Sequence, residues 1–495
     1  MNGSNHVGIG SDLRLALEGW RDGGGPLYAR LAAALRAAIE AGALLGGTRL
    51  PPERALAGEL GIGRGTVVAA YRLLGEQGLV HRRQGRGTEI AGSDAALVSS
   101  HAAELTTSLQ RNVFFRKLSE ASPGTIDLMG TLAPPSATVR DALDYAVKGL
   151  DAGGLARDHG YHPLGYPPLR RAVAAHLTSL GLPTDERQLL ITAGAQQAIS
   201  LVMAYYLRPN ELLLVDDPTF PGAIDAASTA RARILTVPTH EAGSDIAVLA
   251  STLARNAVRA VYLMPTYHNP TGAVMPADAR REVARLSEMT GTPVIEDLTL
   301  AELSLVGVPP PPIAAFARRA PVLTIGSLSK LFWSGLRVGW VRAPNATIGQ
   351  LGRLKAVADL GGSLLSQAVA VDLLANVGPI KEARRQELTD RLALLERLLR
   401  ERLPTWRWLR PPGGAALWVK LPAGSATDFA YTAALHEVSV APGPVMSAIG
   451  GFDEFIRIPF GQAEETLGEG VARLARAWTA YTGDGLTSRH LDVVV

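Results

Sequence analysis

The sequence predicts an α/β protein in two parts: an N-terminal winged helix-turn-helix, then a larger domain built on a mostly parallel sheet. Three observations predict it. Between Pro26 and Ile90, two short helical periods flank a glycine-bearing turn and run into a hairpin with a basic tip. Over 125–480, short apolar runs alternate with helical periods, and each run ends in a turn rich in polar residues, Gly or Pro. Between the two, Ala, Ser, Gly and Thr dominate without a sustained period. The expected division is 1–91, a linker over 92–124, the domain 125–480, and a tail over 481–495 to which the sequence assigns no role.

Composition bounds the answer. The chain has 495 residues, 47% hydrophobic and 19% charged, enough to bury large cores and not a disordered composition. It has no cysteine, hence no disulfide and no thiolate metal site, which fits a cytoplasmic location; no metal site is expected. The start, MNGSNHVGIGSD, has neither a basic nor an apolar signal region, and no run of about 18 apolar residues is present, so no membrane span is expected. The net charge is +3, but it is unevenly placed. From Pro26 to Ile90 nine arginines stand against five glutamates, leaving about −1 for the remainder. The basic excess sits where a polyanion would be met.

In chain order, Leu27, Leu31, Leu35 and Ile39 recur at helical spacing, so a first helix runs to about Ala41. Leu50-Pro51-Pro52-Glu53-Arg54 starts a second, with Pro at its entrance. Gly61-Ile62-Gly63 breaks it. A third runs from Arg64 to about Gln77, with Val67, Tyr71 and Leu74 inward, and would enter the major groove of double-stranded DNA. Leu79 to Arg83, the Gln84-Gly85 turn and Arg86 to Ile90 form the wing. Leu27-Tyr28, Arg49-Leu50-Pro51, Arg54, Leu56-Ala57, Arg64, Thr66-Val67, Ala70-Tyr71, Leu74, Gly78-Leu79 and Gly85-x-Gly87-Thr88 together resemble the GntR-type winged helix. That resemblance implies that Arg54, Arg64, Thr66 and the wing residue Arg86 contact phosphates and bases; an arginine fork on guanine is worth roughly 1–3 kcal/mol of discrimination. The family usually has Ser where this chain has Gly63, and Gly65 follows inside the helix. The first costs a few tenths of a kcal/mol against Ser, the second about 1 kcal/mol against Ala, so the helix start is expected to order on DNA.

After the linker, in which Leu105 to Leu118 has helical potential, five apolar runs read as strands: Leu189–Thr192, Leu212–Val215, Ala260–Met264, Pro293–Glu296 and Val322–Ile325. Their ends carry the chemistry, where open α/β sheets bind ligands. Thr192-Ala193-Gly194-Ala195-Gln196-Gln197 opens a helix and suits a phosphate. Asp217-Pro218-Thr219-Phe220-Pro221-Gly222 offers an aromatic ring, His268-Asn269-Pro270-Thr271-Gly272 an amide, and Ile295-Glu296-Asp297 a carboxylate. Ser327-Leu328-Ser329-Lys330 offers an amine, with Arg337 seven residues on. Lysine is rare here: the six are Lys117, Lys148, Lys330, Lys355, Lys381 and Lys420. A lysine kept where arginine is the habit suggests a task for an amine, because arginine cannot lose its proton and condense with an aldehyde. The set fits pyridoxal 5'-phosphate (PLP).

The order and spacing of these motifs resemble the fold-type I aminotransferases of class I. The resemblance implies that Lys330 condenses with PLP and Asp297 pairs with its ring nitrogen, keeping it protonated as an electron sink; these two would be the catalytic pair. It implies that Asn269 bonds the phenolic oxygen, that Phe220 stacks on the ring, and that Gly194, Ala195, Gln196, Ser327 and Arg337 hold the phosphate. Tyr161, in Gly160-Tyr161-His162-Pro163, matches the tyrosine that reaches the phosphate in the partner subunit, which implies a homodimer. Arg457, in Phe455-Ile456-Arg457-Ile458, matches the arginine that binds a substrate or effector carboxylate. One departure stands out: where the family has a tyrosine shortly after the aspartate, this chain has Leu298-Thr299-Leu300.

A GntR-type winged helix, a linker and an aminotransferase-like domain, in that order, resemble the MocR subfamily of bacterial transcription regulators. The function this implies is a PLP-dependent regulator that binds operator DNA and senses PLP, an amino acid or an amine. A working aminotransferase with a secondary DNA-binding domain is the alternative, and Thr299 counts mildly against it. A regulator with a vestigial site is disfavoured by the intact Lys330, Asp297, Asn269 and Arg337.

Overall fold

In a computed structural model of the chain, the described residues are 17, 20–21, 26–40, 50–77, 79–83, 87–90, 124–131, 133–135, 137–148 and 155–483. The expected helix over 105–118, the tip of the wing with Arg86, and most of the tail lie outside them. The chain divides into two compact units, 1–112 and 113–495, each with its own core.

Among the described residues the first unit has three helices and a hairpin: α1 (Leu27–Glu40), α2 (Glu53–Leu60), α3 (Arg64–Glu76), β1 (Val80–Arg83) and β2 (Gly87–Ile90). The apolar period of α1 buries Leu31 and Leu35 completely, each worth roughly 1.5–3 kcal/mol, while Leu27 on its first turn is 42% exposed. Gly61 ends α2 in the left-handed conformation (φ +61°) that glycine adopts without a Cβ penalty. α3 is helical from Arg64 and buries Val67, Ala70, Tyr71 and Leu74. The Tyr71 hydroxyl donates to the Pro51 carbonyl at 2.9 Å, tying α3 to the entrance of α2. The Leu50 amide donates to the Thr88 carbonyl at 2.9 Å, tying that entrance to the wing. The hairpin is antiparallel, with Arg83 opposite Gly87.

Among the described residues the strands of the second unit are β3 (Ile126–Leu128), β4 (Leu189–Thr192), β5 (Leu212–Asp217), β6 (Arg233–His240), β7 (Gly243–Ser244), β8 (Val258–Leu263), β9 (Val294–Asp297), β10 (Val322–Ser327), β11 (Gly339–Arg342), β12 (Arg407–Trp408), β13 (Ala416–Lys420), β14 (Val438–Pro442) and β15 (Phe455–Pro459). Eight form one sheet in the order β4-β11-β10-β9-β8-β5-β6-β7, and five form another in the order β12-β13-β15-β14-β3. All five predicted runs are strands of the first sheet, where β10, β9, β8, β5 and β6 pair in parallel. Unforeseen is β11, antiparallel between β4 and β10, which sets Gly339 beside Thr192 on one side and Ser327 on the other. That insertion brings the predicted phosphate helix next to the Ser327–Lys330 turn. Helices cover the sheet, whose strands β9 and β10 are wholly buried. Among the described residues no helix is long and apolar enough to cross a membrane. The last helix, Glu464–Gly483, runs past the expected boundary at 480.

Candidate functional site

The sheet delivers its chemistry at the carboxyl ends of β4, β5, β9 and β10. The helix Ala195–Tyr206 starts just after β4, with Gly194 ahead of it at φ +89° and ψ 174°. A Cβ there would lie 2.9 Å from Arg337 Nη2, and a Cβ on Gly339 would lie 2.8 Å from Gly194 Cα. The Arg337 guanidinium therefore lies against the glycine turn, and its Nη2 donates to the Ala193 carbonyl at 2.7 Å. Amides of a first helical turn beside a guanidinium make an anion cradle. The Gln196 side chain is used otherwise: its Nε2 donates to the Gly222 carbonyl at 2.8 Å and so ties this helix to the turn carrying Phe220. The half-buried Phe220 ring is packed against Gly222, where a Cβ would come within 2.5 Å of it.

Asp297 ends β9 and is buried. Alternation along the strand puts it and Glu296 on opposite faces. Glu296 accepts from the Ile313 and Ala314 amides and from Thr324 Oγ1, a structural cap. Asp297 accepts from the Tyr262 hydroxyl at 2.7 Å and from the Thr299 amide at 2.8 Å. Burial pushes its carboxyl above the usual range, and these donors oppose the shift. Sequence reasoning passes over Tyr262. Its signal is there all the same: a tyrosine inside the buried stretch Ala260–Leu263 must find an acceptor for its hydroxyl.

Arg457, on β15, is buried and donates from Nη1 to Asn269 Oδ1 at 3.0 Å and from Nη2 to the Met129 carbonyl. The first bond points the Asn269 amide nitrogen elsewhere as a donor. Arg457 Nε is buried without a partner, and burial pulls the guanidinium down to about 10. Lys330 Nζ donates to the Thr131 carbonyl at 2.6 Å. The stretch 129–131 thus reaches both cations through backbone carbonyls, a contact that side-chain motifs could not announce. Ser327 Oγ donates to the Val338 carbonyl at 3.2 Å and accepts from the Ser329 amide, while Ser329 Oγ is buried without a partner. Tyr161 is 66% exposed, away from these contacts within one chain.

In the first unit, Arg54 and Arg64 are exposed and Thr66 is half-buried at the start of α3. Arg64 Nη2 lies 3.9 Å from Glu53 Oε2.

These residues fit a planar, phosphorylated, cationic ring. The glycine turn leaves room that a Cβ would fill. Asp297 is a buried carboxylate held only by neutral donors among the described residues, and a ring N–H⁺ is the partner it lacks. Arg457 offers a buried cation to a carboxylate.

Comparison with known proteins agrees with the geometry. Residues 129–474 match the family described as aminotransferase class I and II, and residues 27–90 match bacterial regulatory proteins, gntR family. The chain is 29% identical to the uncharacterized HTH-type transcriptional regulator YdfD of Bacillus subtilis (strain 168), over 86% of this chain and 91% of that one. It is 34% identical to the 2-aminoadipate transaminase of Thermus thermophilus, over 72% of this chain and 90% of that one. The crystal structure of LysN, the alpha-aminoadipate aminotransferase of Thermus thermophilus complexed with N-(5'-phosphopyridoxyl)-L-leucine, covers 74% of this chain and 94% of its own, with 31% identity and a TM-score of 0.67.

Proposed function

We propose, of a chain that belongs to the aminotransferase class I and II family and carries a gntR-family domain ahead of it, that it is a transcription regulator whose larger domain senses PLP together with an amino acid or amine. The gntR-family domain makes it a DNA-binding protein, and PLP is the cofactor of the larger domain. The observation that carries the regulator reading is extent: similarity to the regulator covers 86% of the chain, similarity to the transaminase 72%.

When bound, PLP supplies an aldehyde for amino groups and a protonated ring that draws electrons from them. In our reading Lys330 anchors that aldehyde. Asp297 holds the proton on the ring nitrogen. Asn269 donates to the ring's oxygen, with Arg457 fixing its amide, and Phe220 covers the ring. The amides of Gly194, Ala195 and Gln196 hold the phosphate together with Ser327 and Arg337, and Tyr161 of a second copy completes the site in a homodimer. Arg457 takes the carboxylate of an amino-acid effector. On double-stranded operator DNA, Arg54, Arg64, Thr66 and Arg86 make the contacts, in the cytoplasm. The domain division is the one read from the sequence: 1–91, 92–124, 125–480 and 481–495. A coupling of about 1–3 kcal/mol between effector and DNA suffices for a 5–150-fold change in affinity.

The test is the visible spectrum of the PLP-loaded protein against amino acids and amines, with and without a 2-oxo acid, alongside binding to a selected DNA duplex. The expected result is a spectral shift that stops at one or a few compounds and changes duplex affinity. Repeated cycling of the spectrum with the 2-oxo acid, and no change in duplex affinity, would overturn the regulator reading. It would support a working aminotransferase, the second reading, which the 34% identity to a transaminase favours.

A further inference from the structure

We infer that Tyr262 is a positioning residue of the PLP site, its phenol holding the Asp297 carboxylate in place for the cofactor's ring nitrogen. This rests on the reading that Asp297 meets that nitrogen.

Register carries the argument. Tyr262 on β8 stands opposite Ile295 on the parallel strand β9. Asp297 lies two residues beyond Ile295, on the same face. The phenol spans that diagonal, and its hydroxyl reaches Asp297 Oδ2 at 2.7 Å. On the other oxygen, Oδ1, the Thr299 amide is a second anchor at 2.8 Å. Both oxygens are thus held by neutral donors, Thr299 on one and the phenol on the other, which fixes the plane of the carboxylate and leaves it lone-pair capacity for a further partner. Both side chains are buried, so water cannot replace either bond. Burial favours the uncharged acid, and hydrogen bonds from Thr299 and from the phenol oppose this.

Tyr262 does not replace the tyrosine missing near Thr299, because its hydroxyl is committed to Asp297. The phenol is brought by the neighbouring strand. It donates to the acid. Tyr262 therefore acts through Asp297.

The experiment uses the full chain loaded with PLP and three variants: Tyr262→Phe, Asp297→Asn and the double. Tyr262→Phe removes one oxygen and keeps the ring that fills the strand face. Two readouts are taken, PLP affinity by equilibrium dialysis and the pH midpoint of the visible PLP band. Tyr262→Phe is expected to weaken PLP binding about tenfold, the size of one charge-assisted hydrogen bond, and to move the midpoint in the same direction as Asp297→Asn. The double variant is expected to match Asp297→Asn alone, because the phenol then has no carboxylate to hold. The inference is overturned if Asp297→Asn moves both readouts while Tyr262→Phe moves neither, or if the two effects add in full. If Asp297→Asn itself moves neither, the assignment of Asp297 fails instead, a separate result.

Discussion

Two helices of this protein begin at a glycine, and both are proposed to meet a phosphate. They differ in why the glycine is there. Ahead of α3, Gly63 has an ordinary extended backbone (φ −65°, ψ 139°), and a Cβ on it would find its nearest neighbour, Thr66 Oγ1, 3.9 Å away. Ahead of the helix Ala195–Tyr206, Gly194 has φ +89° and ψ 174°, and a Cβ would meet Arg337 at 2.9 Å. The second backbone is one that glycine alone adopts comfortably. A small anion site inside a sheet is built by excluding side chains, so its glycine is compulsory. A helix that meets DNA from outside has room, and its glycine is one option among several.

Gly194→Ala sharpens this contrast most. It combines a strained backbone with a clash against the guanidinium, about 3 kcal/mol together, and should lower PLP affinity roughly a hundredfold by dialysis. Gly63→Ala should leave PLP affinity unchanged. An alanine at 194 that binds PLP like the parent would break the comparison.

Ion pairs extend it. In the second unit Glu302 is bonded to His176 and lies 2.8 Å from Lys381 Nζ, all within a mostly buried cluster. Burial alone would raise the Glu302 carboxyl, but His176 and Lys381 outweigh it and hold it at about 2, below the ordinary 4.5. A depressed carboxyl stabilises above its unfolded value and loses that contribution as pH falls through its folded value. The gain is therefore complete above about pH 4.5 and gone near pH 2, and amounts to about 3 kcal/mol. Glu302→Gln should lower the Tm at pH 7 and flatten the acid limb of the stability curve between those values. The pair Arg64–Glu53 in the first unit is 3.9 Å long with Arg64 55% exposed, and Glu53→Gln should change stability by less than about 1 kcal/mol.

Arg64→Ala should act on DNA alone. We expect a loss of about 1–3 kcal/mol on a selected duplex and a salt slope smaller by about one, with the visible PLP spectrum unchanged. An unchanged duplex affinity would remove Arg64 from the recognition surface.

What the sequence announces and what it conceals follow from physics. Buried parallel strands are continuous apolar runs, so β4, β5, β8, β9 and β10 are visible, and strand ends are where Lys330, Asp297 and Asn269 had to stand. β11 is not visible: Gly339-Trp340-Val341-Arg342 is four residues with no alternation, and its place between β4 and β10 is a tertiary fact. The family resemblance proposes Gln196 as a phosphate ligand, yet its side chain braces Gly222, which leaves its backbone amide for that role. The bonds from Lys330 to Thr131 and from Arg457 to Met129 go to carbonyls, which carry no residue signature. Tyr262 can be found by asking where a buried phenol donates.

The smallest effect tests the other side of the contrast, whether the glycines of α3 are optional. Gly65 lies within α3, and a Cβ there meets nothing within 4 Å. Gly65→Ala should therefore gain the helix propensity that glycine forgoes, about 1 kcal/mol, read as a higher Tm of the first unit's transition. Gly63→Ser should add a few tenths more, because a hydroxyl at that position can accept from the first-turn amides, which have no side-chain cap. Both sit beside the exposed Arg64, so DNA affinity separates two reasons for keeping glycine. Stabilisation with unchanged affinity means the glycines are incidental. Stabilisation with weaker binding means that the duplex backbone approaches the helix start too closely for a side chain, and Gly63 would then resemble Gly194 after all.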